Sequence, residues 1–168
     1  GPYIRGRKRA AAGVYPWLGV FNPRAVAGSQ RGARLGAVSV TLDIWHRDIY
    51  DFLELQTESG DIRAKAFDVF PAVSIPDLFM KRVDEDGEWS LFDPYEVQKK
   101  YGKCLEDHFE KEFEDFYAIL EADTTLEMKK TIKAKDLFKQ FLKTTVETGM
   151  PYVFYRDTVN RLNPNKHA

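Results

Sequence analysis

Three segments of the chain have the residue pattern of β-strands, and a fourth has that of a turn running into one. In residues 38–44, VSVTLDI, every second residue is apolar, and this period of two predicts a strand with one buried face. Residues 66–75, AFDVFPAVSI, are typical of a second strand, which we expect Pro71 to interrupt. DEDGEWSLF, residues 84–92, predicts a turn leading into a strand, and YVFY, residues 152–155, predicts a last short strand.

Other segments repeat their apolar residues every three or four positions, which predicts amphipathic helices. These are residues 14–27, a short helix capped by Asp48, Asp77–Val83, residues 105–121, residues 134–148, and a turn or helix running from Asp157 toward Arg161. Gly28 and Gly149 follow two of the helices and are typical helix ends. Pro23 lies inside the first helix, where its missing N–H predicts a kink or a division. Because strands and helices alternate, we predict the α/β class, with one domain and no internal repeat.

Composition restricts the kinds of partner. The chain has 168 residues, of which 43% are hydrophobic, and a formal net charge of −1, so it is globular and has no general attraction for nucleic acid or anionic membranes. No apolar run approaches the length of a membrane span, and no signal peptide is visible. We therefore expect a cytoplasmic protein with neither a nucleic-acid nor a membrane partner. The single cysteine, Cys104, cannot form an internal disulfide.

Residues 27–36, AGSQRGARLG, concentrate glycine and arginine directly in front of the first predicted strand. Glycine allows close approach of a backbone to a ligand, while Arg31 and Arg34 can bind phosphates or base edges and Gln30 can both donate and accept. This pattern favours a nucleotide-contacting loop. The alternative is a solvated connection whose arginines contact nothing. The basic residues 5–9 are a second candidate anion site or an exposed tail.

The usual catalytic patterns are missing. His46, His108 and His167 are scattered without zinc-ligand spacing, and we expect His46 to be a hydrogen-bonded structural residue. We expect Cys104 to be an inert, partly buried side chain. The carboxylates of residues 106–116, EDHFEKEFEDF, fit the solvent face of a helix better than paired acid and base groups.

Six blocks of the sequence, in order, resemble a known family. They are YIRG at 3–6, GVYPW at 13–17, SQRGARLGAVSVTLDIWHRDIYDFLEL at 29–55, IPDLFMKRV at 75–83, WSLFDP at 89–94 and ETGMPYVFYRDTVNRLNPNKHA at 147–168. Together they resemble the catalytic, or large (alpha), subunit of class I ribonucleotide reductase. FDVFPAV at 67–73 and YRDTVNRLNPNK at 155–166 resemble the class Ib branch most closely.

The resemblance implies a fold and a place within it. The expected fold is the central portion of the ten-stranded α/β barrel of ribonucleotide reductase, incomplete in this chain. Residues 1–36 would form the specificity-loop and dimer-helix region, and residues 37–168 the barrel strands and helices. The helix at 14–27 would contact a second alpha subunit. The chain begins Gly1-Pro2-Tyr3 without methionine, so we expect a piece of a longer protein or a split subunit.

The resemblance also implies an allosteric site. Ile4–Gly13 resembles the first specificity loop and Gly28–Leu35 the second, and a deoxynucleoside triphosphate effector, with Mg²⁺, would bind where they meet. The residues expected at this site are Ile4, Arg5, Gly6, Gly28, Ser29, Gln30, Arg31, Gly32, Ala33 and Arg34. Gln30 and Arg34 would also contact the substrate, and Gly32 would permit the second loop to change conformation with the effector.

The expected activity is the reduction of nucleoside diphosphates to 2′-deoxyribonucleotides, with the radical supplied by a beta subunit. The family uses a thiyl-radical cysteine, a redox cysteine pair and an Asn-x-Cys-x-Glu motif, none of which occurs here. We therefore expect no catalytic residue, metal or cofactor bound by this segment, and no turnover without the remaining segments of the alpha subunit. Two alternatives stay open: an isolated deoxynucleotide-binding or subunit-interaction module without activity of its own, and a partly folded segment with exposed barrel edges.

Overall fold

Helices and strands alternate along the part of the chain that the structure describes. The computed structural model describes residues 13–14, 18, 20–21, 23–24, 27–28, 37–55, 57 and 69–165. In chain order the elements are β1 (Val38–Asp43), α1 (Ile49–Leu53), β2 (Val69–Ile75), α2 (Asp77–Asp84), β3 (Glu88–Leu91), α3 (Pro94–Tyr101), a 3₁₀ turn (Leu105–Asp107), α4 (Glu110–Ala122), β4 (Lys130–Lys133), α5 (Ala134–Thr148), β5 (Tyr152–Tyr155) and α6 (Arg156–Leu162).

The main sheet has three parallel strands in the order β1-β2-β5. Val38 lies opposite Val69 in the first pair, and Ala72 lies opposite Tyr152 in the second. A second sheet pairs β3 with β4 in antiparallel register, Glu88 opposite Lys133. Parallel strands need long crossover connections, and helices supply them here, which confirms the α/β class. Within the described ranges the strands do not close into a barrel.

An aromatic column forms the middle of the hydrophobic core. The Phe79 ring meets the Trp89 ring edge-on at 5.0 Å, Trp89 stacks on Tyr117 at 4.5 Å, and Tyr117 stacks on Phe113 at 5.6 Å. All four side chains are buried. The Tyr117 hydroxyl donates to Ser90 O and accepts from Ser90 N–H, both at 2.8 Å. The Trp89 indole N–H donates to Ile44 O at 3.3 Å. The column therefore joins α2, β3 and α4 into one packed unit, with both of its polar groups satisfied.

Most of the elements predicted from periodicity are confirmed. β1, α1, α2, β3, α5, β5 and α6 lie where the patterns place them. Gly149 ends α5 in the left-handed conformation, with φ of 72°. Of the predicted helix at 14–27, the described residues 18, 20, 21, 23, 24 and 27 are helical, and this set includes Pro23.

Pro71 does not interrupt its strand, contrary to the prediction. β2 runs continuously from Val69 to Ile75, and Pro71 lies opposite Val40 of β1. Pairing with β5 begins one residue later, at Ala72. The ring thus stands at the end of the β2-β5 ladder, a place where a missing N–H is tolerated.

A continuous helix was predicted at 105–121, and this prediction is wrong because the segment forms two elements. The chain forms a 3₁₀ turn at Leu105–Asp107, becomes extended at His108 and Phe109, and enters α4 at Glu110. Glu110 has a φ of 50°, so the chain turns sharply there. The predicted apolar side is nevertheless buried at Leu105, and at Phe113, Phe116, Tyr117 and Leu120 in α4.

Two elements were not predicted, and one apolar residue of α5 is exposed. α3 begins after Asp93, whose Oδ1 accepts the Tyr95 N–H at 3.0 Å, and ends at Gly102 with φ of 66°. β4 is a four-residue strand. In α5, Leu142 is exposed and Thr144 is buried instead. Among the described residues no helix is both long and apolar enough to cross a bilayer.

Candidate functional site

Nine of the ten residues predicted at the effector site lie outside the described residues. They are Ile4, Arg5, Gly6, Ser29, Gln30, Arg31, Gly32, Ala33 and Arg34, so their role stays a prediction. Gly28 is described: it is exposed, lies in a turn, and donates its N–H to Arg24 O at 2.9 Å. That bond closes one helical turn at the point where the sequence predicts the helix to end.

The structure describes the chain where the first predicted specificity loop ends. Gly13 has a φ of 86°, a left-handed conformation that favours glycine. Directly after it, the Val14 N–H donates to Asp48 Oδ2 at 3.1 Å. A Cβ atom on Gly13 would lie 3.0 Å from the same oxygen. We name this contact between Gly13, Val14 and Asp48 the Asp48 anchor.

Asp48 was predicted to cap α1, and this prediction is wrong in detail. Asp48 does precede the helix, but its side chain makes no capping hydrogen bond to it. Its carboxylate instead accepts the N–H of Val14, which is 34 residues away in sequence. No local pattern can reveal such a contact, because the partner is remote in the chain.

His46 lies in the turn that presents Asp48. Its Nδ1 accepts the Asp48 backbone N–H at 3.0 Å, so the predicted hydrogen-bonded structural role is confirmed. Burial lowers the pKa of His46, and the carboxylates of Asp48 and Asp93 partly oppose this effect. The lowered pKa favours the neutral ring, whose unprotonated Nδ1 the hydrogen bond requires.

A second polar cluster lies at the carboxyl ends of the three parallel strands, and we name it the Arg156 cluster. Arg156 is 3% exposed and lies directly after β5. Its guanidinium lies 3.4 Å from Asp43 Oδ1 and donates to the carbonyls of Glu106 at 2.7 Å and His108 at 2.8 Å. It also lies over the ring of Phe109, 4.6 Å from the centroid. The cation is therefore compensated by a carboxylate, two carbonyls and an aromatic face.

Asp157 completes the connection from β5 to the helices. It is 2% exposed, and its two oxygens accept the backbone N–H groups of Asp77 at 2.8 Å and Glu110 at 2.9 Å. These are the first residues of α2 and α4. One carboxylate thus caps two helices, an arrangement that satisfies unpaired donors and complements both helix dipoles.

A cleft of about 270 Å³ opens beside the Arg156 cluster. It is lined by Thr41, Asp43, Ser74, Glu106, Phe109, Phe154 and Arg156. Ligands of parallel α/β sheets bind at this edge, beyond the carboxyl ends of the strands. The two terminal nitrogens of the guanidinium have protein partners, which hold the strand ends in place. The buried Nε of Arg156 has no hydrogen-bond partner in the part of the chain that the structure describes. Nowhere in the described ranges do three metal-ligating side chains come together.

Cys104 is partly buried. Burial, with the nearby carboxylates of Glu106 and Asp107, raises the pKa of its thiol. A raised pKa disfavours the nucleophilic thiolate, which supports the prediction of an unreactive side chain.

Sequence reasoning did not identify Arg156 as a site residue and named Asp157 only as a helix start. A signal was present, because an adjacent arginine and aspartate directly follow the apolar strand YVFY. Charged residues at the carboxyl end of a strand in an α/β chain are candidates for a site or its support.

Comparison with known proteins gives the family. The chain matches the model of the ribonucleotide reductase barrel domain over residues 1–168. It is 48% identical to the ribonucleoside-diphosphate reductase subunit alpha of Synechocystis sp. over 99% of this chain and 22% of that protein. The corresponding Helicobacter pylori (strain J99) protein is 46% identical over 100% of this chain and 21% of that protein. The ribonucleoside-diphosphate reductase large subunit of Arabidopsis thaliana is 41% identical over 96% of this chain and 19% of that protein.

The chain therefore spans about a fifth of the length of these relatives. The mixed α/β fold with a parallel sheet, unclosed in the described ranges, agrees with a portion of such a barrel. Sequence identity above 40% across nearly the whole chain, together with the family model's match to every residue, shows that this chain belongs to the ribonucleotide reductase family, in its barrel domain.

Proposed function

We propose that this chain is part of the catalytic alpha subunit of a ribonucleoside-diphosphate reductase, which converts ribonucleotides to 2′-deoxyribonucleotides for DNA synthesis. The observation that carries the proposal is the match of all 168 residues to the reductase barrel domain. The relatives that bear the name ribonucleoside-diphosphate reductase support it.

Within that subunit, the chain would carry the specificity site. A deoxynucleoside triphosphate, with Mg²⁺ on its phosphates, would bind between the loops at 4–13 and 28–35. Gln30 and Arg34 would approach the nucleoside diphosphate substrate. The glycine and arginine content of residues 28–36, between helical residues and β1, supports this placement.

The proposed partners follow from the same assignment. They are the remaining segments of the alpha subunit, a second alpha subunit across residues 14–27, and a radical-generating beta subunit. The sequences of residues 67–73 and 155–166 favour membership of class Ib of the ribonucleotide reductases, which stays a prediction.

The proposal is tested in a complete reductase assembled with this chain and a radical-generating subunit. We expect deoxynucleotide formation from the four nucleoside diphosphates, with the preferred substrate changing as each deoxynucleoside triphosphate is added. Arg34→Ala should abolish that change of preference. Arg161→Ala is the matched control, because Arg161 is exposed and makes surface contacts with Glu110 at 3.5 Å and with Thr158 at 3.3 Å. An assembled enzyme that forms no deoxynucleotide under any effector would contradict the proposal.

The chain's single cysteine favours a second candidate for the isolated chain. Cys104 is its only thiol, so the chain alone cannot supply both a radical cysteine and a redox pair. The isolated chain would then bind deoxynucleotides or another subunit without turnover. Calorimetric titration with the four deoxynucleoside triphosphates tests this, and an absence of heat with all four would exclude nucleotide binding by the isolated chain.

A further inference from the structure

One hydrogen bond closes residues 14–48 into a loop. The Val14 N–H donates to Asp48 Oδ2 at 3.1 Å, across 34 positions of sequence. Inside this closed segment lie the second proposed specificity loop, 28–35, and β1. The first proposed loop ends at Gly13, directly outside it. The Asp48 anchor therefore joins the end of the first loop, at Gly13, to the turn that follows β1.

Asp48 is held firmly enough to serve as a fixed point. The residue is 9% exposed, its N–H donates to His46 Nδ1 at 3.0 Å, and its carbonyl accepts the Phe52 N–H at 3.0 Å. A carboxylate in such a place needs hydrogen-bond donors, and the Val14 N–H is one. Hydrogen bonds to ionised groups are stronger than neutral ones, so the anchor resists opening.

The other side of the anchor is equally constrained. A Cβ atom at Gly13 would lie 3.0 Å from Asp48 Oδ2, and the φ of 86° is one that other residues rarely adopt. The Val14 carbonyl accepts the Leu18 N–H at 3.2 Å, and the Leu18 side chain is 2% exposed in the core. Val14, directly after the end of the first loop, is thus bonded to a residue of the core.

We propose that Asp48 is a positioning residue for the effector response, which fixes the end of the first specificity loop relative to β1 and the second loop. This inference rests on the proposed function. β1 has six residues and therefore spans about 20 Å at ~3.3 Å per residue, and Asp48 lies in the turn that follows its carboxyl end. Any effect of Asp48 on the second loop would therefore pass along β1 within the closed segment.

The test uses the complete reductase assembled with this chain. Three variants are compared with the wild type: Asp48→Ala, Asp48→Asn and Asp51→Ala. The first removes the acceptor, the second keeps an amide oxygen that can accept the Val14 N–H, and the third removes an exposed carboxylate of the neighbouring helix α1. The readouts are the Kd of each deoxynucleoside triphosphate and the ratio in which the four nucleoside diphosphates are reduced in competition.

For Asp48→Ala we expect effector Kd values about tenfold higher, close to the lower end of the range for losing a hydrogen bond to a charged group, and a smaller effector-driven change in the substrate ratio. Asp48→Asn should restore most of the response, and Asp51→Ala should equal the wild type. A merely structural defect would lower all four rates alike and leave the ratio unchanged. Equal Kd values and equal ratios in Asp48→Ala and Asp51→Ala would overturn the inference.

A second measurement needs no variant and covers the case in which Asp48→Ala does not fold. Hydrogen exchange of the peptide that contains Val14 and Leu18 is followed in the wild-type enzyme with and without each effector. We expect slower exchange at the Val14 amide when an effector is bound, and an unchanged rate would overturn the inference. If the wild-type enzyme binds no deoxynucleoside triphosphate at all, the proposed function itself fails, and the two failures are thus distinguishable.

Discussion

The carboxylate of Asp157 gives the sharpest test of how the elements are held together. Its two oxygens accept the N–H groups that begin α2 and α4, at 2.8 and 2.9 Å, and the residue is 2% exposed. Asp157→Ala removes both acceptors and leaves two helix N-termini without their partner. We expect this variant to be strongly destabilised.

The magnitude follows from the number of bonds. A hydrogen bond to a charged group contributes about 1.5–3 kcal/mol, so two of them together predict a loss of about 3–6 kcal/mol in the free energy of unfolding. Asp157→Asn keeps one acceptor oxygen but turns an NH₂ group toward the second N–H. Its expected loss is about half as large, ~1.5–3 kcal/mol.

Urea unfolding followed by tryptophan fluorescence measures both variants, because Trp45 and Trp89 are 1% and 0% exposed in the folded chain. Asp115→Ala is the matched control, since Asp115 is an exposed carboxylate on α4, and its effect should stay within about 0.5 kcal/mol. A loss below about 1 kcal/mol for Asp157→Ala would refute the reasoning, because the two hydrogen bonds would then contribute almost nothing.

Three further predictions concern the core, a helix end and the turn at His46. Tyr117→Phe removes a hydroxyl that both donates to and accepts from Ser90 at 2.8 Å, and urea unfolding should show a loss of about 1–3 kcal/mol; an unchanged midpoint would contradict it. Gly149→Ala forces a side chain to adopt a φ of 72° in open space, so thermal unfolding should show a cost of about 1–2 kcal/mol, and an equal or higher Tm would argue against the left-handed cap. Because burial lowers the pKa of His46 below its usual 6.5, its contribution to stability is complete above pH 6.5 and is lost as the pH falls below that value. Unfolding free energies measured between pH 8 and pH 5 should therefore fall less steeply in His46→Asn than in the wild type, and identical slopes would exclude His46 as the cause.

Local periodicity was sufficient to predict an element when its residues contact only that element or the hydrophobic core. The alternation in residues 38–44 predicted β1, and the three-to-four spacing in residues 134–148 predicted α5 with its glycine end. The signals for α3 were also local: Asp93 at the N-cap, Pro94 in the first turn and Gly102 at the end, so this helix could have been predicted.

The break before α4 could not be predicted in this way. The Arg156 guanidinium donates hydrogen bonds to the carbonyls of Glu106 and His108, while the Asp157 carboxylate accepts the N–H of Glu110. Those groups would otherwise belong to a continuous helix, but their partners lie 47–50 residues away in sequence. Periodicity predicts which side of a segment is buried, but it does not predict which backbone groups will bond to a charged side chain that is remote in sequence.

The candidate site shows the same difference between local signals and contacts that are remote in sequence. Glycine and arginine in residues 28–36 could be noticed from the sequence alone, and their role stays a prediction. The Asp48 anchor depends on two residues that are 34 positions apart, and neither is unusual in its own neighbourhood. Asp48 was accordingly interpreted as a local helix cap.

The composition of β5 has a consequence for how this sheet is used. Its four residues, Tyr152–Tyr155, are aromatic or β-branched, yet each is at least 40% exposed, on both faces of the strand. Among the described residues β5 pairs only with β2, on one of its two edges. Side chains of this kind are favoured where neighbours enclose them, so β5 has the residues of an interior strand while occupying a border. A further strand along this edge could form a hydrogen-bonded ladder with β5 and bury its apolar side chains.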